Sequence, residues 1–186
     1  MRVAARQSPL LLVRETAQAA SPIESEVVEL FDQLRTRLLR YTLNFGLPEQ
    51  DGEEIVQEVF LSLYRHLQQG KPRENLRGWI FRVAHNLALK RRSSISHTAS
   101  SLSDEDGACA FADPAPNPED QFSSSQSQQQ VLAVFRVLPE QDRRCLILRA
   151  EGLRYREISQ VLGISLGAVS MSLSRSLARL ARAAER

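Results

Sequence analysis

A long acidic stretch constrains the fold of this chain more than any other feature, because it separates two parts that can each form a compact unit. Residues 94–126 contain six Asp or Glu, three prolines, many serines and no Lys or Arg. Such a segment buries too little apolar surface to offset the entropy of ordering, so we predict a flexible linker. It is interpreted either as a solvated tether or as an acidic segment that enters a basic channel. The flanking parts are residues 21–93 (the N-terminal unit) and 127–186 (the C-terminal unit), and residues 1–20 are predicted to be disordered.

The N-terminal unit has the pattern of three amphipathic helices. The first begins with a capping box, in which Ser21 is the N-cap and Glu24 follows three residues later. The second is predicted to begin at Asp51 as N-cap, and the third to span about Asn75–Arg92. Apolar residues recur every three or four positions in all three segments, and no alternating strand pattern occurs in the sequence. The fold class is therefore predicted to be all-α, with two small helical domains.

The C-terminal unit is predicted to contain four shorter helices, and the last two have the spacing of a helix-turn-helix. Ile158 anchors the first of these helices, and Gly163 allows a left-handed turn after it. Ser165 can cap the second helix, and Val169 can hold it across the first. The alternative is an ordinary helical hairpin. In a helix-turn-helix, the second helix would present residues on and around its exposed side to DNA in the major groove. These are Ser165, Ala168, Ser170, Met171, Ser172, Ser174 and Arg175, followed by Arg179.

The net charge of +2 conceals a strongly uneven distribution. Residues 1–93 carry 14 basic and 11 acidic side chains, whereas residues 127–186 carry 10 basic and 5 acidic ones. Within the N-terminal unit, Glu24–Glu58 holds nine acids and three arginines, whereas Lys71–Arg92 holds seven basic residues and one acid. This polarity indicates two different partners, one of which is nucleic acid; a solvated surface of mixed sign is the alternative.

The sequence offers no constellation for catalysis or metal binding. His66, His85 and His97 have no metal spacing with Cys109 or Cys145, and no nucleophile-base pair or glycine-rich phosphate loop is present. We interpret His85 as a helix-surface residue and Cys145 as a small core residue. We therefore predict a protein that is not an enzyme and has no cofactor. The absence of a signal peptide or a long apolar run predicts a cytoplasmic location.

Together, these features resemble the bacterial RNA polymerase sigma factors of the extracytoplasmic-function (ECF) type. The resemblance covers about residues 25–92, which match sigma region 2, and 127–182, which match sigma region 4. Four segments carry it in the family's order: Asp51–Phe60 (DGEEIVQEVF), Gly78–Ala88 (GWIFRVAHNLA), Leu138–Arg144 (LPEQDRR) and Tyr155–Ser165 (YREISQVLGIS).

The resemblance implies roles for the surfaces already described. The outward side of the second helix would bind core polymerase, through Asp51, Glu54, Gln57, Glu58 and Leu61. A basic track along the third helix and the preceding loop would bind the melted -10 element, through Lys71, Arg73, Arg77, Arg82, Asn86, Lys90, Arg91 and Arg92. Trp79 is predicted to be a core residue, and Phe81 is the better candidate for an exposed aromatic that stacks on a base. The C-terminal unit would read the -35 element.

The partners implied by the resemblance are core RNA polymerase, promoter DNA and an anti-sigma factor. Polymerase would be contacted on the clamp of its largest subunit and the flap of the second largest. Two alternatives remain open, namely a sigma-like decoy that binds only an anti-sigma partner and a stand-alone helix-turn-helix regulator. The decoy hypothesis rests on Ser170 and Ser172, which stand where the family commonly has basic residues. In addition, Lys90 occupies a position where the family often has an acid.

Overall fold

A computed structural model describes residues 21–99 and 121–184, with side chains placed for residues 21–96 and 128–184. Within these residues the chain forms seven α-helices and no strand, which confirms the all-α prediction. The helices are α1 Pro22–Leu43, α2 Glu49–Gln68, α3 Leu76–Ala99, α4 Gln121–Arg136, α5 Glu140–Ala150, α6 Tyr155–Leu162 and α7 Leu166–Ala184. Helices α1 to α3 belong to the N-terminal unit and α4 to α7 to the C-terminal unit.

The helix starts are confirmed at α1 and corrected at α2. At α1 the Glu24 amide donates to Ser21 Oγ at 3.2 Å, and the Ser21 amide donates to Glu24 Oε2 at 2.8 Å. Helix α2 begins at Glu49, two residues before the predicted N-cap Asp51, because Pro48 supplies an extended backbone and no amide hydrogen of its own. The Asp51 carboxylate therefore lies in the first turn, where its negative charge interacts favourably with the positive end of the helix dipole and stabilises the helix.

The start of α3 depends on a local contact between two residues. Asn75 has a positive φ of 54°, and its Oδ1 accepts a hydrogen bond from the Gly78 amide at 3.1 Å. A Cβ atom on Gly78 would lie 2.5 Å from Asn75 Nδ2, so this cap requires glycine at position 78. The cap fixes the direction in which α3 leaves the preceding loop.

The core of the N-terminal unit corrects two expectations about α3. Phe81, named above as the better candidate for an exposed aromatic, is fully buried and packs edge-on against Tyr41 at 5.5 Å between ring centroids. His85, interpreted as a surface residue, is only 4% exposed, and its Nδ1 lies 2.8 Å from the Tyr41 hydroxyl. Trp79 is partly buried against the core, as predicted, and its ring centroid lies 4.7 Å from that of His66. Periodicity misassigned Phe81 and His85 because α3 is covered on more than one side.

The C-terminal unit contains the predicted helix-turn-helix. Helices α6 and α7 meet at 107°, and Gly163 between them has a φ of 66° in the left-handed region. Ser159 Oγ donates to the Ile164 carbonyl at 2.6 Å and so closes the turn. The Ala168 amide donates to Ser165 Oγ at 3.1 Å, which caps α7. The core between the two helices includes Ile158, Val161, Val169 and Leu173.

The described helices extend into both ends of the predicted linker. Helix α3 continues to Ala99, and α4 begins at Gln121 in a glutamine-rich segment. Glutamine is a good helix former, so a segment that is polar and acidic overall still permits a helix at the C-terminal end of the linker. Residues 1–20 and 100–120, including Cys109, lie outside the described residues. Among the described helices, none is by itself long and apolar enough to cross a membrane, although α6 and α7 pass that test together by length and composition.

Candidate nucleic-acid and polymerase interface

The basic track of the N-terminal unit is centred on one stripe of α3. Arg82, Asn86 and Lys90 are spaced four residues apart and are all exposed, so their side chains follow one another along the helix. Lys71, in the preceding loop, is also exposed. Within the described part of the chain, Lys71, Arg82 and Lys90 have no ion pair. These three cations and the Asn86 amide are therefore available to phosphate and base groups.

The other four members of the predicted track already have partners on the protein. Arg73 pairs with Glu26 at 2.7 Å, and Arg91 pairs with Asp51 at 3.5 Å and Glu54 at 2.5 Å. The remaining two members, Arg77 and Arg92, have partners in the C-terminal unit. The structure thus leaves only half of the eight predicted residues free. Of the others on α3, Arg91 lies toward α2, and Arg77 and Arg92 lie toward the C-terminal unit, so the eight residues do not form one continuous surface.

The exposed side of α2 carries the predicted polymerase-binding residues. Glu54, Gln57, Glu58 and Leu61 are exposed at successive helical spacings, and the Leu61 side chain is 57% exposed. Asp51 is half-buried at the N-terminal end of the same side. Such a surface combines acidic groups with an unburied apolar side chain, a composition that suits a protein partner more than DNA.

Helix α7 presents most, but not all, of the predicted DNA-reading residues. Ser170, Met171 and Ser174 are exposed, and Met171 is 70% exposed. Ser165 and Arg179 are exposed and Ala168 is half-buried. Ser172 is 1% exposed and accepts a hydrogen bond from Gln141 Nε2 at 3.4 Å, so its predicted position on the exposed side is wrong. The reason is that α7 also packs against α5, which covers the side carrying Ser172.

Arg175, also predicted to contact DNA, forms a bidentate pair with a buried carboxylate of α5. Its Nε and Nη2 donate to Asp142 Oδ2 and Oδ1 at 3.0 Å and 2.7 Å. Burial would raise the pKa of Asp142, but hydrogen bonds from Arg175 and Ser172, together with the guanidinium charge, hold it below its ordinary value. Arg175 therefore neutralises a buried charge of its own unit.

Asp142 was not among the predicted site residues, although the sequence contains a signal for it. Asp142 lies three residues before the buried Cys145 and six before the buried Leu148, so an acid occupies the apolar side of α5. A carboxylate in such a position needs a basic partner from another element. That requirement would have directed attention to Arg175, the sole basic residue between Arg156 and Arg179.

The two units share a buried interface. Helix α3 packs against α6, and buried apolar residues of both units form one continuous cluster. The guanidinium of Arg144 in α5 lies over the ring of Phe45, 4.3 Å from its centroid. A cation over an aromatic face is stabilising, particularly where water is excluded.

Charged contacts surround this interface and involve the basic track. Arg92 pairs with Glu140, which also pairs with Arg144. Burial would raise the pKa of Glu140, but its hydrogen bond to Arg92 and the charge of Arg144 hold it below its ordinary value. Arg77 Nη1 donates to the Glu151 carbonyl at 3.2 Å, and Arg37 lies 3.5 Å from the Glu151 carboxylate. In this arrangement the C-terminal unit occupies two cations of the track, Arg77 and Arg92.

Nothing in the described residues resembles a metal centre, since they contain no cluster of three or more His, Cys, Asp or Glu side chains placed to hold an ion. Cys145 is fully buried, as predicted for a core residue, and burial raises the pKa of its thiol.

Comparison with known proteins identifies both units. Residues 30–97 match the family model "Sigma-70 region 2", and residues 128–180 match "Sigma-70, region 4". The chain is 28% identical over 170 residues to the RNA polymerase sigma factor CnrH of Cupriavidus metallidurans, an alignment that covers 88% of this chain and 89% of the relative. It is 32% identical over 139 residues to the ECF RNA polymerase sigma factor ShbA of Streptomyces griseus, covering 74% and 71%.

A solved structure shows the same fold. The sigma factor RpoE of Bartonella quintana, in complex with the anti-sigma factor NepR, superposes with a TM-score of 0.59 at 18% identity and covers 87% of this chain and 97% of that one. Both family units, in the expected order, therefore accompany the helix-turn-helix and the basic helix described above. The chain belongs to the ECF RNA polymerase sigma factors and directs the initiation of transcription.

Proposed function

We propose that the chain acts in the cytoplasm as a dissociable, non-enzymatic subunit that brings core RNA polymerase to promoters. In this proposal residues 21–93 bind polymerase and the -10 element, residues 94–126 link the units, and residues 127–186 bind the -35 element. The observation that carries the assignment of roles is the exposed stripe Arg82-Asn86-Lys90 on α3. The same chain also contains a helix-turn-helix. The stripe on α3 suits a melted single strand, and the helix-turn-helix suits duplex DNA.

The outward side of α2 is the proposed contact with the clamp of the largest polymerase subunit. Leu61 supplies an exposed apolar side chain, and Glu54 and Glu58 supply charges that suit a basic partner surface. The pair of Glu54 with Arg91 links this surface to α3. Arg91 also pairs with Asp51, so polymerase would free Arg91 for DNA only by competing for both carboxylates of this surface. The C-terminal unit would contact the flap of the second largest subunit.

The stripe on α3 is the proposed contact with the -10 element. Arg82 and Lys90 would hold phosphates, which fixes the strand without reading its sequence, and Asn86 would hydrogen-bond the edge of an unpaired base. Lys71 would extend the track into the loop before α3. Phe81 is excluded as a stacking group while it remains in the core.

Use of the full track requires the two units to separate. Arg77 and Arg92 are bound to the C-terminal unit by Glu151 and Glu140, so they become available to DNA only when this interface opens. The released C-terminal unit could then reach a -35 element some distance from the -10 element. RpoE of Bartonella quintana was solved with an anti-sigma factor, and a partner of that class would regulate this chain by binding its units.

A reconstituted transcription assay tests the proposal. We expect full-length protein with core polymerase to start transcription at defined sites, and Arg82→Ala and Asn86→Ala to reduce open-complex formation several-fold. Arg40→Ala is the matched control, because Arg40 is also exposed but lies on α1. Equal losses in all three variants would contradict the assignment of the stripe.

The same assay separates the alternative functions. A holoenzyme that forms but starts no specific transcript would favour a sigma-like decoy. Specific binding of promoter DNA by the chain alone, unaffected by core polymerase, would favour a stand-alone helix-turn-helix regulator.

A further inference from the structure

The outward side of the recognition helix α7 is unusually free of charge. The residues opposite its buried side recur at intervals of four, three and four positions, and they are Gly167, Met171, Ser174 and Ala178. Met171 is 70% exposed, and its three neighbours on this side are small. The thioether side chain is thus the most prominent group on this part of the helix.

Most of the basic and hydroxyl side chains close to Met171 already have partners within the protein. Arg175 donates two hydrogen bonds to Asp142, and no other Lys or Arg occurs in residues 157–178. Ser172 is buried, and Ser165 accepts the capping bond from Ala168. The commonest specific contact in the major groove, a guanidinium on guanine, is therefore unavailable to this side of α7.

An apolar side chain can still read one base in the major groove. Thymine displays its C5-methyl group there, and apolar contact with this methyl distinguishes thymine from the other bases. The first turns of a recognition helix contact base edges, and both Leu166, which is 53% exposed, and Met171 lie in these turns. Small residues at 167 and 178 allow the helix to approach the groove closely.

We propose that Met171 reads thymine in the -35 element by packing against its C5-methyl group. This inference rests on the proposed function of the C-terminal unit, and it gives a chemical basis for the base preference of that unit. Met171 is then a specificity-determining residue, Ser170 and Ser174 supply hydrogen bonds to neighbouring polar groups, and the exposed Arg179 holds phosphate. Burying one methyl-sized group corresponds to about a fourfold change in affinity.

Replacement of thymine by deoxyuridine tests this contact directly, because it removes only the methyl group and keeps base pairing. The -35 element is first defined by mapping the start sites of the reconstituted holoenzyme. Each thymine in it is then replaced in turn by deoxyuridine, and holoenzyme affinity is measured at one fixed salt concentration. We expect one or two positions at which wild-type affinity falls about fourfold.

The matched variants assign the effect to Met171. We expect Met171→Ala to bind the thymine promoter about fourfold more weakly and to lose its response to deoxyuridine, whereas Met171→Leu keeps the response. Leu177→Ala is the control, because Leu177 is 54% exposed on a different side of α7. That variant should respond to deoxyuridine as the wild type does.

Three outcomes would overturn the inference. Specific -35 binding that is insensitive to deoxyuridine, or equally sensitive in Met171→Ala and wild type, would refute the methyl contact and leave the proposed function intact. Loss of binding to an anti-sigma protein in Met171→Ala, with unchanged promoter binding, would make this side of α7 a protein contact. Absence of any specific start site would overturn both the proposed function and the inference.

Discussion

The buried hydrogen bond between His85 and Tyr41 predicts that the folded state weakens in mild acid. His85 lies in α3 and Tyr41 in α1, so this contact joins two helices of the N-terminal unit close to Arg144 of the C-terminal unit. Burial, reinforced by the positive charge of Arg144, lowers the pKa of His85 from 6.5 to about 4. The imidazole is therefore neutral in the folded protein at pH 5, whereas it is protonated in the unfolded chain.

The sign and size of the effect follow from this difference in proton binding. Between pH 6.5 and pH 4 the unfolded state binds more protons than the folded state, so the free energy of unfolding falls as the pH falls. The contribution of His85 is complete above about pH 6.5, and at pH 5 about 2 kcal/mol of it has been lost. Glu140 and Asp142 have ordinary pKa values of 4.5 and 3.8, below pH 5, so both carboxyls are largely ionised in the folded and the unfolded state between pH 7 and pH 5 and add little to the change.

Urea unfolding at pH 7 and pH 5 measures the effect. Between pH 7 and pH 5 the free energy of unfolding of the wild type should fall by about 2 kcal/mol more than that of His85→Asn. The reason is that asparagine keeps a polar group near the Nδ1 position and does not titrate. His66→Asn is the control, since His66 is only partly buried and bonds the Pro72 carbonyl at 2.9 Å. An identical pH dependence in wild type and His85→Asn would refute the reasoning.

Three further predictions concern the C-terminal unit. Gly163→Ala should lower the free energy of unfolding by about 1 kcal/mol in urea, because position 163 has a φ of 66°, and unchanged stability would contradict this. Arg175→Ala should lower the thermal midpoint of unfolding, because it leaves the Asp142 carboxylate buried without its partner. Arg179→Ala is the control, since Arg179 is exposed on the same helix, and it should leave the midpoint unchanged. Equal shifts in the two variants would argue against a structural role for Arg175. Glu140→Gln should weaken the contact between the two units and increase the radius of gyration in small-angle scattering, and a constant radius would show that this charge does not hold them together.

The sequence by itself determined the features that depend on residues close together in the chain. The capping box at Ser21 and Glu24, the turn at Gly163 and the buried pair Ile158 and Val169 were predicted correctly, because each needs a particular residue type at a fixed short spacing. The family motifs are of the same kind, since each lies within one helix or one turn. For these reasons the all-α fold and the sigma-factor family followed from local patterns.

Only the tertiary structure decided which exposed-looking residues are covered. Periodicity assigns one apolar side to a helix, but it does not reveal a second side covered by a distant element, which is why Phe81, His85 and Ser172 were misplaced. It also cannot pair Arg175 with Asp142, because the two residues are separated by 33 positions and meet only when α7 packs on α5. Burial and charge pairing arise from packing between elements, and this packing left Met171 as the prominent group on the recognition helix.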